Sequence, residues 1–354
     1  MVCLFLFVCP ISVSLNVAQV VVHSRRAKVE LVQKIVFYNC ENLFDPSNDS
    51  TKLDDEFTPE GDRRWTYFRQ YSKILNIGKA LVLAGSGLPP SLIGLAEVEN
   101  DSVLLRLVRQ SPLRQWEYEY VITQGPDLRG INVALLYQPL DYRLLGSEAI
   151  AVSVPDGHRP TRHLLHTWGR VVGGDTLDVV VCHLPSRMGG VKASAPIRAS
   201  AHRTIRQLCD SLQQTRHHPY VVVMGDMNDY PTTLSLCRNM HFGEGLHNLM
   251  IPLQRQLERG ELRYGSHKHD GEWGILDQFW VNDSLLREQS DSLSSKEVRT
   301  QLWVDNVEIV VAPFMLTNDR THFGQRPLRS YYGFHYEGGF SDHLPIRMDL
   351  HIRY

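Results

Sequence analysis

From Lys34 onward the chain alternates short runs of Val, Ile and Leu with longer amphipathic stretches, a pattern that few architectures accept. The apolar runs are Lys34–Tyr38, Leu92–Ala96, Tyr118–Ile122, Asn132–Tyr137, His163–Trp168, Leu177–Cys182, Tyr220–Met224, Leu276–Val281, Val307–Val311 and Pro345–Ile352. Bounded by Gly, Pro or Asp, they read as strands. Trp65–Ala84, Val103–Gln110 and Pro196–Gln214 read as helices. In the last, Ile197, Ala201, Ile205, Leu208 and Leu212 form one stripe, with Ser194 as candidate cap. Strands interleaved with helices predict α/β layering. No repeat, linker or composition break falls between Lys34 and Tyr354, so residues 31–354 are expected to form a single domain. The polar stretch Asn282–Thr300 is expected to be a surface loop.

Residues 1–30 form an apolar leader. Val2–Leu15 is too short to span a bilayer, which needs ~20 apolar residues, but has the length of a signal-peptide core. Arg25, Arg26 and Lys28 follow that core where a signal peptide would have basic residues before it. A secreted or periplasmic location is favoured over a cytoplasmic one, with a disordered leader as the alternative. No later stretch is apolar for long enough to be a membrane helix. The six cysteines are too scattered for a disulfide scaffold or a zinc finger. Lys and Arg number 37 against 39 Asp and Glu, so no basic excess marks a nucleic-acid binder. Any phosphate chemistry needs a bound cation or a local basic patch.

Five clusters of acids, amides and histidines stand at strand ends: Asn39-Cys40-Glu41-Asn42-Leu43-Phe44-Asp45, Leu95-Ala96-Glu97-Val98-Glu99-Asn100, Cys182-His183-Leu184, Gly225-Asp226-Met227-Asn228-Asp229 and Ser341-Asp342-His343-Leu344-Pro345. Singly, each reads as turn residues. In an α/β layout, however, such ends can converge on one pocket. The collected negative charge would then need a cation. Oxygen ligands without a cysteine cluster favour Mg²⁺, then Mn²⁺ or Ca²⁺.

This ordered set resembles the endonuclease/exonuclease/phosphatase superfamily, in its deoxyribonuclease-like branch, over residues 34 to 352. Phe57-Thr58-Pro59-Glu60-Gly61 with Arg64-Trp65-Thr66 resembles an insertion of its bacterial members on the substrate side. The resemblance implies a four-layer α/β sandwich, two packed mixed β-sheets flanked by helices, with the active site at one edge. It implies Asn39, Glu41, Glu97 and Asp342 as metal-site residues. Asp226 matches the residue that orients or deprotonates the attacking water, Asn228 a phosphate contact and His343 a phosphate-binding histidine. Asp277 matches the carboxylate that orients that histidine, and His183 a second catalytic histidine. Asp127 and Glu119 are candidate acidic partners of His183. Arg129 and Arg162 resemble phosphate-side arginines.

These assignments suit metal-assisted attack of an activated water on a phosphodiester. The expectation is a Mg²⁺-dependent endonuclease acting on DNA or RNA, a monomer with no protein partner implied. A phosphatase or sphingomyelinase-like phosphodiesterase is the alternative. An inactive binding module on the same fold would be marked by a lost ligand or histidine, and none is lost. The His-rich segment Gly265–Trp273 is either a solvated loop or a metal binder. Arg63, Arg64, Arg69 and Lys73 form either a phosphate-tracking strip or an exposed helix face.

Overall fold

The computed structural model describes residues 29–187, 190–240, 245–286 and 300–354; the leader up to residue 28 and residues 287–299 of the expected surface loop lie outside them. The first strands are β1 (Glu30–Leu43), β2 (Leu92–Val98), β3 (Glu119–Ile122) and β4 (Asn132–Tyr137). Next come β5 (Tyr142–Ile150), β6 (Leu164–Val171), β7 (Thr176–His183) and β8 (Val221–Asp226). Short β9 (Leu246–Asn248), β10 (His267–His269) and β11 (Glu272–Gly274) precede β12 (Asp277–Asn282) and β13 (Gln301–Ile309). Two small ribbons, β14 (Leu316–Asn318) with β15 (Gln325–Pro327) and β16 (Tyr331–Tyr332) with β17 (His335–Tyr336), lead to β18 (Ile346–Arg353). The helices are α1 (Tyr67–Ala84), α2 (Asp101–Gln110), α3 (Val191–Thr215), α4 (Leu234–Met240) and α5 (Ile251–Glu258).

Two six-stranded mixed sheets result, one in the order β13-β18-β1-β2-β4-β3 and the other β5-β6-β7-β8-β12-β9. Each has one parallel pair at its centre, β1 with β2 and β7 with β8. A parallel pair needs a crossover, supplied by α1 in the first sheet and α3 in the second. Side chains alternate between two buried environments, because each sheet is covered on both faces. Ile35, Phe37, Val179, Val181, Val222, Met224 and Phe279 fill the space between the sheets. Val36, Tyr38, Ile93 and Leu95 turn outward onto Ile74, Ile77 and Leu81 of α1 and Leu104 of α2. Val180, Cys182, Val221 and Val223 turn onto Ala201, Ile205 and Cys209 of α3. These layers make the expected four-layer α/β sandwich.

The expected elements are present with shifted bounds. β5 carried no apolar run because it is an edge strand whose residues are mostly exposed. β13 starts at Gln301, well before Val307, since Leu302, Trp303 and Val304 are buried. α3 starts at Val191 and includes Pro196, so Ser194 is not its cap. The Ser194 hydroxyl instead donates to the Gly190 carbonyl and accepts from Arg198. Gly265–Trp273 is not a solvated loop, because β10 and β11 form a hairpin and His267 bridges to His343.

Gly225, from the Gly-Asp-x-Asn run, is required by a close approach. A Cβ there would lie 2.2 Å from the Cys182 carbonyl oxygen on β7. At Gly94 the nearest atoms are the movable Met224 thioether at 2.9 Å. Gly225→Ala is therefore expected to cost about 1–3 kcal/mol, and more than Gly94→Ala, as read by urea denaturation of the two variants side by side.

Candidate active site

The strand directions decide which residues meet. The C-terminal ends of β1, β2, β7 and β8 and the N-terminal ends of the antiparallel β12 and β18 all reach the same edge of the sandwich. In the second sheet His183, Asp226 and Asp277 stand in one row, His183 paired with Asp226 and Asp226 with Asp277. From the first sheet come Asn39, Glu97 and, just before β18, His343. Register breaks interrupt β1 between Asn39 and Leu43 and β2 between Ala96 and Val98. Glu41, Asn42, Glu97 and Asn228 all have positive φ, between 49° and 59°. Such backbone costs about 1–3 kcal/mol per residue. It persists here because the side chains it re-aims are held from both sheets.

His343 is held on two sides. Its Nδ1 lies 2.7 Å from Asp277 Oδ2, and its backbone N–H donates to Ser341 Oγ at 3.1 Å. Ser341 Oγ in turn donates to the Asn39 carbonyl at 2.7 Å. Burial works against a charged imidazole, but the carboxylates of Asp277, Asp226 and Asp342 outweigh it and raise His343 well above its ordinary pKa. His343 is therefore an imidazolium, with Nε2 3.8 Å from Asp226 Oδ2. Asp226 also accepts from Asn39 Nδ2 at 3.1 Å and from the Asn228 backbone N–H at 2.9 Å. Burial and the nearby Asp277 charge push Asp226 up to about 7, against the pull of His343.

His183 behaves in the opposite way. Burial, and then Arg162, Arg129 and His343, hold it well below its ordinary pKa, so it is a neutral imidazole. Its Nε2 faces Glu97 Oε1 at 3.7 Å and Asp226 Oδ2 at 3.6 Å. Neither expected acidic partner reaches it: Asp127 is paired with Arg162, Glu119 accepts from the Tyr137 hydroxyl, and His183 Nδ1 has no partner. Arg162 donates to the carbonyls of His183 and Leu184, both at 3.0 Å, and to Asp127 at 2.8 Å. It braces the turn after β7. Asn228 Nδ2 likewise donates to the Leu184 carbonyl, at 2.9 Å. Arg129, half-buried, stays close enough to act on the charge of His183.

The four expected metal-site residues do not form one ligand shell. Glu41 accepts from Arg329 Nε at 2.7 Å and the Ser330 N–H at 2.9 Å, with Lys73 Nζ 3.7 Å away. Asp342 is paired with Arg329 at 2.9 Å, which holds it below its usual range despite burial. The Asn39 amide is committed to Asp226 and the Glu41 N–H. Two sets, Asp226-Asp277-His343 and His267-Asp342-His343, have ligand atoms within 4.8 Å of one another. Both sets include His343, whose raised pKa favours the charged form that cannot ligate. With Glu41 and Asp342 neutralised by Arg329 and Lys73, and Asp277 by His343, the uncompensated charges are Glu97 and Asp226. Glu97, with Oε1 3.7 Å from His183 Nε2, is the expected ligand that could still receive a divalent cation, although its set with His183 and Asp226 is not among those whose ligand atoms lie within 4.8 Å of one another.

Arg329 had no recognisable role in the sequence, and Lys73 read there as part of a phosphate strip or an exposed helix face. Lys73 is buried and donates to the Glu41 carbonyl and Ser330 Oγ, while Arg69 lies over the Tyr336 ring at 4.3 Å and Arg63 over Phe334 at 4.8 Å. The segment is thus not a plain exposed face. Phe57, Trp65 and Tyr331 pack with Phe44 behind it. With Arg63, Arg329 and Glu41 they line a cavity of about 180 Å³ beside the site.

A histidine–carboxylate site of this kind at one edge of a four-layer α/β sandwich defines a class of enzymes that hydrolyse phosphate esters. The chain belongs to the Endonuclease/Exonuclease/phosphatase family, whose model matches residues 34–352. Its fold is shared with TDP2 of D. rerio complexed with single-strand DNA product (14% identity, TM-score 0.52, covering 90% of this chain and 98% of that one). It is shared also with the human Nocturnin catalytic domain with bound sulfate (14%, 0.53, 91% and 96%). A third likeness is to a mannosyl-6-phosphatase of Bacteroides thetaiotaomicron (14%, 0.52, 90% and 99%). No curated protein matches the sequence. Among the described residues no helix is long and apolar enough to cross a membrane.

Lys73→Met tests the charge accounting. It leaves Glu41 buried with the half-exposed Arg329 as its one remaining cation, and is expected to cost about 3 kcal/mol by denaturant unfolding. An unchanged midpoint would show that Glu41 does not depend on Lys73.

Proposed function

We propose that the protein is a divalent-cation-dependent phosphodiesterase that cleaves nucleic acid, using Mg²⁺ first and Mn²⁺ or Ca²⁺ as substitutes. The observation that carries this reading is the convergence of Glu97, Asp226, His183 and His343 at one edge, with His183 Nε2 3.7 Å from Glu97 and 3.6 Å from Asp226 and His343 Nε2 3.8 Å from Asp226. The bound cation would polarise a phosphate oxygen. Asp226, oriented by Asn39 and the Asn228 N–H, accepts the proton of the attacking water. His343, fixed by Asp277, meets the charge that develops on the phosphoryl oxygens. Half-exposed and exposed aromatic rings flank Arg329 and Asp342: Phe334 beside the cavity carrying Arg63, and Tyr332 beside a second cavity lined by Lys268, Arg326 and Asp342. Rings of this kind stack bases of a single strand irrespective of sequence. A second reading, a phosphatase for small phosphoesters, is favoured by the limited size of the 180 Å³ cavity.

A panel of single- and double-stranded DNA, RNA, bis-p-nitrophenyl phosphate and sugar phosphates, each with Mg²⁺, Mn²⁺ or chelator, separates the two. Cleavage of single strands is expected, and chelator should abolish it. Hydrolysis of sugar phosphates alone would select the second reading, and turnover that survives chelation would refute the cation requirement. Glu97→Ala is expected to lose turnover and cation affinity together with folding unchanged.

The proton chemistry gives a separate test. Asp226 works as a base when ionised, and its pKa is raised to about 7. The cation lowers Asp226 from that value, so kcat/KM is expected to rise with pH through a midpoint below about 7, with His343 in its charged form. Asp226→Asn should lower kcat by about 10²–10⁴-fold. A flat profile between about pH 5 and 8 would remove Asp226 from the role of base.

A further inference from the structure

The His-rich hairpin of β10 and β11 stands out in the sequence, yet the proposed reaction uses none of it. Where it begins, Ser266 and His267 lie against both members of the Asp277–His343 pair. The buried Ser266 hydroxyl accepts from the backbone N–H groups of Leu276 and Asp277, at 3.1 and 3.2 Å. The Ser266 carbonyl accepts from the Leu344 N–H at 2.7 Å. His267 then forms an isolated antiparallel bridge with His343. Their imidazole rings pack with centroids 4.6 Å apart and planes tilted by 40°. That separation is in the contact range of aromatic pairs.

The hairpin is anchored so that this face of β10 stays turned to the site. Side chains alternate along a strand, so His267 and Lys268 point to opposite faces. Lys268 Nζ is bound on its own side by Asp319 Oδ2 and the Phe323 carbonyl, both at 2.9 Å. On β11 the Trp273 ring packs edge-on against Tyr264, with centroids 5.3 Å apart. His267 pairs with Gly274 and Lys268 with Trp273. A slip of one residue would turn His267 away from His343 and strip Lys268 of Asp319, so the register is fixed from both faces.

His343 needs more than its bond to Asp277. A hydrogen bond at Nδ1 restrains one distance, 2.7 Å here, and leaves the ring free to tilt about it. Such a tilt displaces Nε2, the atom 3.8 Å from Asp226. A ring laid against one face of the imidazole removes that freedom. We infer that His267 is a positioning residue: its ring sets the plane of His343 and so aims Nε2, on the reading that His343 meets the charge developing on the phosphoryl oxygens. The two side chains meet as rings, with no hydrogen bond between them. The ring face, and not a ring nitrogen, therefore performs the task. Displacements of about 1 Å at such a group can lower a rate by about 10²-fold.

The test compares the full chain with His267→Ala, His267→Phe and His267→Asn. Each is assayed on bis-p-nitrophenyl phosphate with Mg²⁺, and its His343 ring signals are followed in proton–nitrogen NMR spectra, assigned by their absence from His343→Gln. His267→Ala is expected to lower kcat by about 10–10²-fold with KM little changed, and to shift and broaden the His343 signals. His267→Phe, a ring without nitrogens, should restore most of kcat and the signals. His267→Asn, polar without a ring, should restore neither. Rescue by Asn and not by Phe would overturn the inference and give the role to a nitrogen. Unchanged kcat in His267→Ala, or a loss carried by KM, would overturn it as well. If His267→Ala does not fold, the contrast between Phe and Asn gives the same reading. If the unaltered chain cleaves no ester, the phosphodiesterase reading fails by itself, and His343 signals left unmoved by His267→Ala would still sink the positioning role.

Discussion

Two side-chain hydrogen bonds at the active edge run from one sheet to the other, and the site exists through them. His343, entering β18 of the first sheet, meets Asp277 at the start of β12 in the second. Asn39, on β1 of the first sheet, donates to Asp226 at the end of β8 in the second. Neither sheet alone brings Asp226 and His343 face to face. The apolar layer of Ile35, Phe37, Val181, Met224 and Phe279 that presses the sheets together is therefore also what assembles the chemistry. The interior is a rigid support because its strands are buried on both faces and cannot slip register without exposing apolar side chains. Strained residues such as Glu97 can then be held where they are needed.

Electrostatically, the site separates two histidines and two groups of acids. Asp277 faces His343 directly and helps raise its pKa, whereas burial, with Arg162 and Arg129 nearby, lowers that of His183. Arg329 and Lys73 perform the parallel separation among the carboxylates. They pair with Glu41 and Asp342, whereas among the described residues Glu97 and Asp226 have no Lys or Arg partner. Overall charge, near zero for the chain, therefore says little about the substrate. The relevant quantity is the local balance after buried pairs are subtracted.

How far this was legible in the sequence depends on the range of the interaction. Two-sided burial leaves a local mark, continuous runs such as Val221–Met224, so ten of the strands and the three longest helices could be placed. The edge strand β5 leaves none, because its face toward solvent dilutes the apolar pattern. Motif residues were legible as a set because each stands at a strand end. Their partners were not. Arg329 lies on an irregular segment far along the chain from Glu41, with no periodicity to announce it. Lys73 sits on a helix whose pattern suggested a solvated face, while its ammonium reaches inward to the Glu41 carbonyl. Pairwise contacts of such separation have no signature in one sequence. For the same reason, residues that looked equivalent as ligands, Glu41 and Glu97, have different surroundings.

The position of Glu97 shows how one small segment can connect these levels. β1 and β2 are parallel neighbours, and both break register just where they leave the sheet. The break gives Glu41 and Glu97 left-handed backbone and turns their carboxylates in different directions, one toward Arg329 and the other toward His183. Left alone, such a pair of bulges would relax, since each unfavourable residue costs about 1–3 kcal/mol. Hydrogen bonds from Asn42 to Glu97 and from Asp45 to Glu99 oppose that relaxation by tying the two strand exits together. Trp65 and Gln70, both donating to the Phe44 carbonyl, hold the same exit from its outer side. The insertion between β1 and α1 is thus part of what aims the Glu97 carboxylate, as well as a wall of the cavity beside it.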